Sequence, residues 1–274
     1  LFAGGSISKD FAPHAVKAGA VVIDNSSAFR MDPDVPLVVP EVNPQAILKH
    51  KGIIANPNCS TIIMVMALKP IYDLAKIKRV IVSTYQAVSG AGKEGIDELD
   101  AQVRDHSEGR EMTANILPSA SAEKHYPIAF NLIPQIDVFC DNLYTKEEMK
   151  MVNETKKIME DYEMRITATT IRVPVYRRHS ESVNIELEKE VDLGAMREAL
   201  AKFPGVTVQD DPSKQEYPMP LYTSEKDDVY VGRLRRDESC EKSYNMWVVG
   251  DQIRKGAALN TLQIAETMIK NGWI

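Results

Sequence analysis

Short β-branched and aliphatic runs punctuate the first sixty positions of the chain. Residues 21–24 (VVID) are one, residues 37–39 and Ile53–Ala55 are two more, and each is bounded by Pro, Gly or Asn. Residues 1–8, LFAGGSIS, predict the end of a strand running into a Gly-rich turn, and residues 10–17 a short helix. Ser60 then opens STIIMVMALKPIYDLAK, a buried helix with a Ser/Thr start. Short strands alternating with helices predict a parallel sheet with crossover helices.

From Val80 the pattern changes. Residues 80–85, 165–175, 183–187, 206–208, 229–234 and 246–249 are strand-like, and Val183, Ile185 and Leu187 or Val229 and Val231 alternate with polar neighbours. Such alternation fits a sheet with one solvated or partner-covered face. Residues 145–161 predict a helix with Met149, Val152, Ile158 and Met159 on or near one face, the methionines filling core. Gly250 ends the last strand and residues 255–271 form a closing amphipathic helix. The expected fold class is α/β. It comprises a partial Rossmann-like parallel-sheet domain over residues 1–58, an α+β domain with a mixed sheet over 59–250, and a helix, 251–274, returning to the first.

Composition narrows the function classes. With 274 residues, 44% of them hydrophobic, the chain can bury a sizeable core. A net charge of −6 with scattered cations argues against a general nucleic-acid binder. No apolar run reaches the roughly 18–20 residues a membrane span requires, and no signal-peptide pattern is present. Three cysteines do not make a disulfide framework, so the expectation is a free thiol in a reducing cytoplasm. The pattern opens at Leu1 in the second half of a strand–helix unit, which predicts a missing N-terminal segment.

The sharpest local signal is NPNCST, residues 56–61, which sets Cys59 between a strand end and a helix N-terminus. Unpaired N–H groups and the helix dipole there predict a lowered thiol pKa. A thiolate is the nucleophile that attacks an acyl carbon; the bland alternative is a small buried hydrophobe. Cys140 and Cys240 lack that setting and read as structural. His179, in RVPVYRRHSES, is the best candidate base, although a single His in such a loop is more often a surface residue. His14, His50, His106 and His125 have weaker settings. The glycines at 90, 92 and 95 match G-x-G-x-x-G, but no second strand follows, so the Rossmann fingerprint is rejected.

AGGSIS, AVVIDNSSAFR, VPLVVPEVN, NPNCST, STYQAVSGAGKEG, NLIPQID, EEMKMVNETKKI, IRVPV, HSES and GDQIRKGAALN occur in that order. Together they resemble the bacterial aspartate-semialdehyde dehydrogenases over nearly the whole chain. The resemblance implies Cys59 as acyl-forming nucleophile, His179 as general acid/base and Gln86 as the residue positioning the acyl intermediate. It implies Arg172 on the substrate α-carboxylate, Glu147 on the α-ammonium, and Arg30, Asn58 and Lys150 at the phosphate. Ser89, Gly90 and Gln252 would contact the nicotinamide cofactor, NADP, and no metal is implied. Taken singly, Arg30 also reads as a solvated charge, and Glu147 and Lys150 as an ordinary helix pair. Homodimers or homotetramers are implied, formed through the second domain.

The implied reaction is reductive dephosphorylation of L-4-aspartyl phosphate in lysine, threonine and methionine biosynthesis, through a Cys59 thioester. The alternatives are an N-acetyl-glutamyl-phosphate reductase, against which Glu147 argues, and an inactive fragment acting as a dimer module. Two departures stand out. The family's N-terminal glycine-rich turn would lie before Leu1, and Arg178 stands where relatives usually carry Gly or Ala. That cation would depress the His179 pKa, crowd its loop, or point harmlessly to solvent.

Overall fold

The structure, a computed structural model, describes residues 1, 4–119 and 122–274. Part of the stretch expected to end a strand, residues 2 and 3, lies outside the described residues. From Gly5 the chain is already helical: α1 covers Gly5–Lys17, longer at its start than the pattern predicts. Ser8 and Ala12 are its buried positions, so a single inward stripe decides the helix, and the small residues ahead of Asp10 join it.

A small parallel sheet follows. β1 (Val22–Asp24) pairs with β2 (Ile53–Ala55) in the register Val22↔Ile53 to Asp24↔Ala55. The expected strand at 37–39 contributes one parallel bridge, Leu37↔Ala55, because its flanking prolines cannot extend the ladder. α2 (Cys59–Leu74) is buried along almost its whole length, which its apolar sequence requires.

The larger sheet has six strands in the order β4-β3-β5-β8-β7-β6. In chain order the remaining elements are β3 (Ile77–Gln86), α3 (Lys93–Ser107), α4 (Lys146–Ile158), β4 (Arg165–Arg172), β5 (His179–Leu187) and α5 (Leu193–Lys202). β6 (Val206–Val208), the helical turn α6 (Pro220–Thr223), β7 (Val229–Arg236), β8 (Ser243–Gly250) and α7 (Leu259–Asn271) complete the chain. β3 runs parallel to β4 and β6 parallel to β7, while β5 and β8 are antiparallel to their neighbours. One face of this mixed sheet presents Val80, Val82, Val183, Ile185, Met246, Val248 and Val231 to the core shared with α2 and α5. The other carries Ser83, Tyr85, Ser182, Asn184, Asn245 and Trp247, with the Tyr85 and Trp247 rings 5.4 Å apart.

Three expectations change. α3 and α5 are helices that the strand-dominated reading of residues after 80 did not predict; α3 turns the polar Glu98 and Gln102 inward beside Leu99, and the short α5 buries only Met196 and Leu200. The inner face of α4 is not a methionine face. Met149 and Val152 are only half-buried, whereas Glu147, Glu148, Met151, Glu154 and Ile158 point inward. The closing helix starts with a π turn, Arg254–Ala258, before α7. α7 lays Ile264 and Met268 against Val38, Ile47 and Ile54 beside the small sheet.

The seat of α2 on the large sheet is tight at Gly250. A Cβ there would lie 2.5 Å from Ile63 Cγ1. Gly250→Ala is expected to lower stability by about 1–3 kcal/mol through overpacking. Denaturant unfolding of the single variant and of Gly250→Ala with Ile63→Ala checks this. The double variant should recover part of the loss, and strict additivity of the two losses would count against the contact.

Candidate active site

The strand register gathers the site. Gln86 ends β3 beside Arg172 at the end of parallel β4, and His179 starts antiparallel β5 opposite Gly250 at the end of β8. Four elements thus deliver Gln86, Arg172, His179 and Gly250 to one edge of the sheet. α2 brings Cys59 to that edge. The backbone of Gly256 packs directly on Cys59, since a Cβ on it would sit 2.9 Å from Cys59 Cβ.

Asn58 caps α2. Its Oδ1 accepts from Ser60 N at 3.0 Å and Thr61 N at 3.2 Å, which satisfies helix-end donors. α4 then grips the same residue twice. Asn58 Nδ2 donates to Glu147 Oε1 at 2.9 Å, and its backbone N–H donates to Glu154 Oε2 at 2.6 Å. Gln86 Nε2 also donates to Glu147, at 3.3 Å, and Lys150 Nζ lies 3.1 Å from Glu147 and 2.9 Å from Asp137. Arg30 pairs with Glu154 at 3.2 Å and donates to the carbonyls of Asn56 and Asn25, each at 2.9 Å. Glu147 and Lys150 therefore do form the helix pair, and inside the site. Burial opposes ionisation of Glu147, but Lys150, Asn58 and Gln86 outweigh it and hold its carboxyl below the usual range. The same cluster raises the Lys150 ammonium against the opposing effect of burial.

The expected lowering of the Cys59 pKa is overturned. The residue keeps partial access to solvent, yet its surroundings push the thiol up to about 12. Desolvation is the larger cause and the Glu147 carboxylate the next; Arg30, the Ser60 N–H and Arg172 pull the other way and lose. The helix N-terminus is present, but burial and, after it, a carboxylate from α4 outweigh it.

His179 is fully buried and makes no hydrogen bond with the thiol. Its Nδ1 accepts from Ala87 N–H at 3.1 Å, and Nε2 has no partner. Arg172 Nη1 donates to the carbonyl of the same Ala87 at 2.7 Å. One peptide thus fixes both side chains. Burial, followed by Arg172, lowers the imidazole to about 3, so His179 is neutral with its proton on Nε2. Gly90 lies against this pair, where a Cβ would come within 2.6 Å of Arg172 Nη1. Ser89 Oγ accepts from Gln252 Nε2 at 2.5 Å, and Gln252 Oε1 accepts from Arg178 N at 2.9 Å.

Arg178 neither crowds His179 nor reaches solvent. With φ +72 it turns away, donates to Lys226 O at 2.7 Å and Asp228 O at 3.4 Å, and stacks over Tyr230. Glu154, Ala87, Asp137 and Gly256 are the participants sequence reasoning missed. Only Glu154 left a signal, two helical turns after Glu147 on one face. Cys140 and Cys240 are free, the first partly buried and the second exposed. Among the described residues no group of three or more acidic, His or Cys side chains is placed to hold a metal, and no helix is long and apolar enough to cross a membrane.

A thiol at a helix N-terminus and a buried histidine stand at one end of a mixed sheet, beside a small parallel sheet. Family models define the class: "Semialdehyde dehydrogenase, NAD binding domain" matches residues 1–50 and "Semialdehyde dehydrogenase, dimerisation domain" matches residues 68–255. The aspartate-semialdehyde dehydrogenase of Aquifex aeolicus is 57% identical over 99% of this chain and 79% of that protein. That of Bacillus subtilis is 54% identical over 98% and 78%. Among solved structures, aspartate semialdehyde dehydrogenase II from Vibrio cholerae superposes with a TM-score of 0.92 at 48% identity, covering 98% of this chain and 78% of that one. The chain belongs to the aspartate-semialdehyde dehydrogenase family. It is an oxidoreductase that works with a nicotinamide cofactor on a small molecule and assembles as an oligomer.

Two outcomes follow from the charges. Glu147→Gln removes the nearest negative charge acting on Cys59, so alkylation of that thiol at pH 8 should quicken by about three- to tenfold, each unit of pKa being about tenfold in thiolate. Mass spectrometry resolving Cys59 from Cys140 and Cys240 measures it, and an unchanged or slower rate contradicts the assignment. Glu181, also fully buried, has neither oxygen partnered, and desolvation raises its carboxyl well above the usual range. In the unfolded chain that group ionises first as pH rises. The stability it lends below the unfolded value is therefore lost towards neutral pH. Glu181→Gln should melt roughly 2–4 °C higher at pH 8, the shift about 1 kcal/mol produces in domains of 150–250 residues, and no higher at pH 4. An equal gain at both pH values would show that ionisation is not the cause.

Proposed function

We propose that the chain catalyses the NADP-dependent reductive dephosphorylation of L-4-aspartyl phosphate to L-aspartate 4-semialdehyde through a thioester on Cys59. The observation that carries this is Cys59 at the start of α2, ringed by Glu147, Arg30 and Arg172, whose charges act on its thiol. Cys59 is the nucleophile, and Gln86 holds the acyl group. Arg172 receives the substrate carboxylate with its guanidinium, whose Nε is without a partner. Glu147 receives the α-ammonium. Pairing with that cation offsets the Glu147 charge, so the substrate itself eases ionisation of the thiol. Phosphate departs into the site of Arg30, Asn58 and Lys150. His179 holds its proton at Nε2 and manages from there the charge on the acyl oxygen.

The nicotinamide end has matching groups. Gln252 and Ser89 keep hydrogen-bonding capacity suited to a carboxamide, Gly90 lets bare backbone pass close to Arg172 and His179, and His179 Nε2 is a buried nitrogen without a partner. When bound, the cofactor supplies the hydride. NADP in place of NAD follows the family resemblance, and a relative from Candida albicans was solved with NADP. We assign residues 1–58, with 251–274, to the cofactor domain and 59–250 to catalysis and assembly. The outer sheet face around Tyr85 and Trp247 is the surface for a homodimer or homotetramer.

The test is turnover of aspartate semialdehyde with phosphate and NADP, read by nicotinamide absorbance, beside NADPH calorimetry. Phosphate-dependent reduction of NADP is expected, falling by roughly 10³-fold or more in Cys59→Ser. Failure to bind NADPH, activity surviving in Cys59→Ser, or equal turnover of N-acetyl-glutamate semialdehyde would each sink the proposal.

A further inference from the structure

Glu154 takes no part in the chemistry above, yet it is buried at 1% exposure against two of its groups. Its carboxylate stands at the N-terminus of the sixteen-residue α2, accepting Asn58 N–H at 2.6 Å and pairing with Arg30 at 3.2 Å. A helix N-terminus beside a guanidinium is a setting for an external anion. Here a side chain of the protein already fills it.

Neither partner depends on Glu154 for its placement. Arg30 is fixed by Nε on Asn56 O and Nη2 on Asn25 O. Asn58 is fixed by its own capping bonds and by Glu147. What Glu154 adds is an acceptor for the Asn58 N–H, which a glutamine can also supply, and a negative charge, which it cannot. We propose that Glu154 is a resident counter-anion of the phosphate site, occupying Arg30 and the Asn58 N–H when the site is empty and competing with phosphate for them. The inference rests on the phosphate-site reading given above.

The charged groups of this cluster are Arg30, Lys150 and Arg172 against Glu147, Glu154 and Asp137, an even balance. Take away Glu154 and the pocket gains a net positive charge, which holds phosphate more tightly and releases it more slowly. Burial opposes the charge of Glu154 while Arg30 and the Asn58 N–H support it, so a doubly charged anion competes with a single carboxylate for the same two donors. A purely structural Glu154 predicts the opposite sign: its loss would loosen Arg30 and weaken phosphate.

The experiment follows protection of Cys59 from alkylation by inorganic phosphate in the full chain, which needs no cofactor. In Glu154→Gln and Glu154→Ala the half-protecting phosphate concentration should fall by roughly three- to tenfold. Glu154→Asp, which keeps the charge, should stay within about twofold of the parent. Weaker or unchanged binding in the two neutral variants overturns the inference, as does an Asp variant that binds as tightly as they do. Thermal melts identify a variant that fails to fold, and the other neutral variant then carries the sign. If phosphate gives no protection in the parent chain, the phosphate-site assignment falls and this inference with it, an outcome distinct from a reversed sign.

Discussion

The hydrogen bonds of Asn58 join the parts of this molecule that must act together. Its Oδ1 caps the helix that carries the thiol, its Nδ2 meets Glu147, and its backbone N–H meets Glu154. Through Glu147 it reaches Gln86 at the end of β3 and Lys150; through Glu154 it reaches Arg30 beyond the small sheet. A helix end buried without partners is costly. The acidic inner face of α4 meets that need, and in doing so fixes the thiol against the sheet edge.

Burying charge next to a thiol has a consequence for reactivity. Isolated buried ions are expensive, so Arg30 is paired with Glu154 and Lys150 with Glu147 and Asp137, while Arg172 rests on the Ala87 carbonyl with Glu147 in the same cluster. The matched site is nearly neutral, and in a neutral, partly dry site a thiolate is not favoured. The raised thiol and the neutral histidine are therefore two results of one condition. Reactivity then depends on what a ligand's own charges do to Glu147 and Arg30. A substrate carrying an ammonium and a phosphate is suited to alter both.

Much of this was legible in the chain. Alternation in VNIEL and YVGRL gave the antiparallel strands their inward residues, and NPNCST located the turn before the helix. What failed did so for identifiable reasons. Residues 93–107 and 193–202 hid as helices because the first buries glutamate and glutamine beside a single leucine and the second is only ten residues long. In EEMKMVNETKKI the methionines drew the eye, while the glutamates faced in; periodicity does not say which face a site requires. The direction of the thiol shift was illegible because burial sets it first and Glu147 second, and both arise only when distant segments fold together. The Ala87 peptide offers no side-chain signal at all.

Arg178 shows how a local rule is broken at little cost. A non-glycine residue at φ +72 carries strain, and a buried guanidinium carries a desolvation penalty. Both are offset in one place. The side chain reaches two carbonyls of the 226–228 turn and lies over Tyr230, while its backbone N–H holds Gln252. Because the left-handed turn aims Arg178 away, His179 can begin β5 facing the core. A residue that continued the extended backbone would swing this cation towards the imidazole, whose proton position depends on the undisturbed Ala87 contact. The strain at 178 is thus the condition for the order at 179.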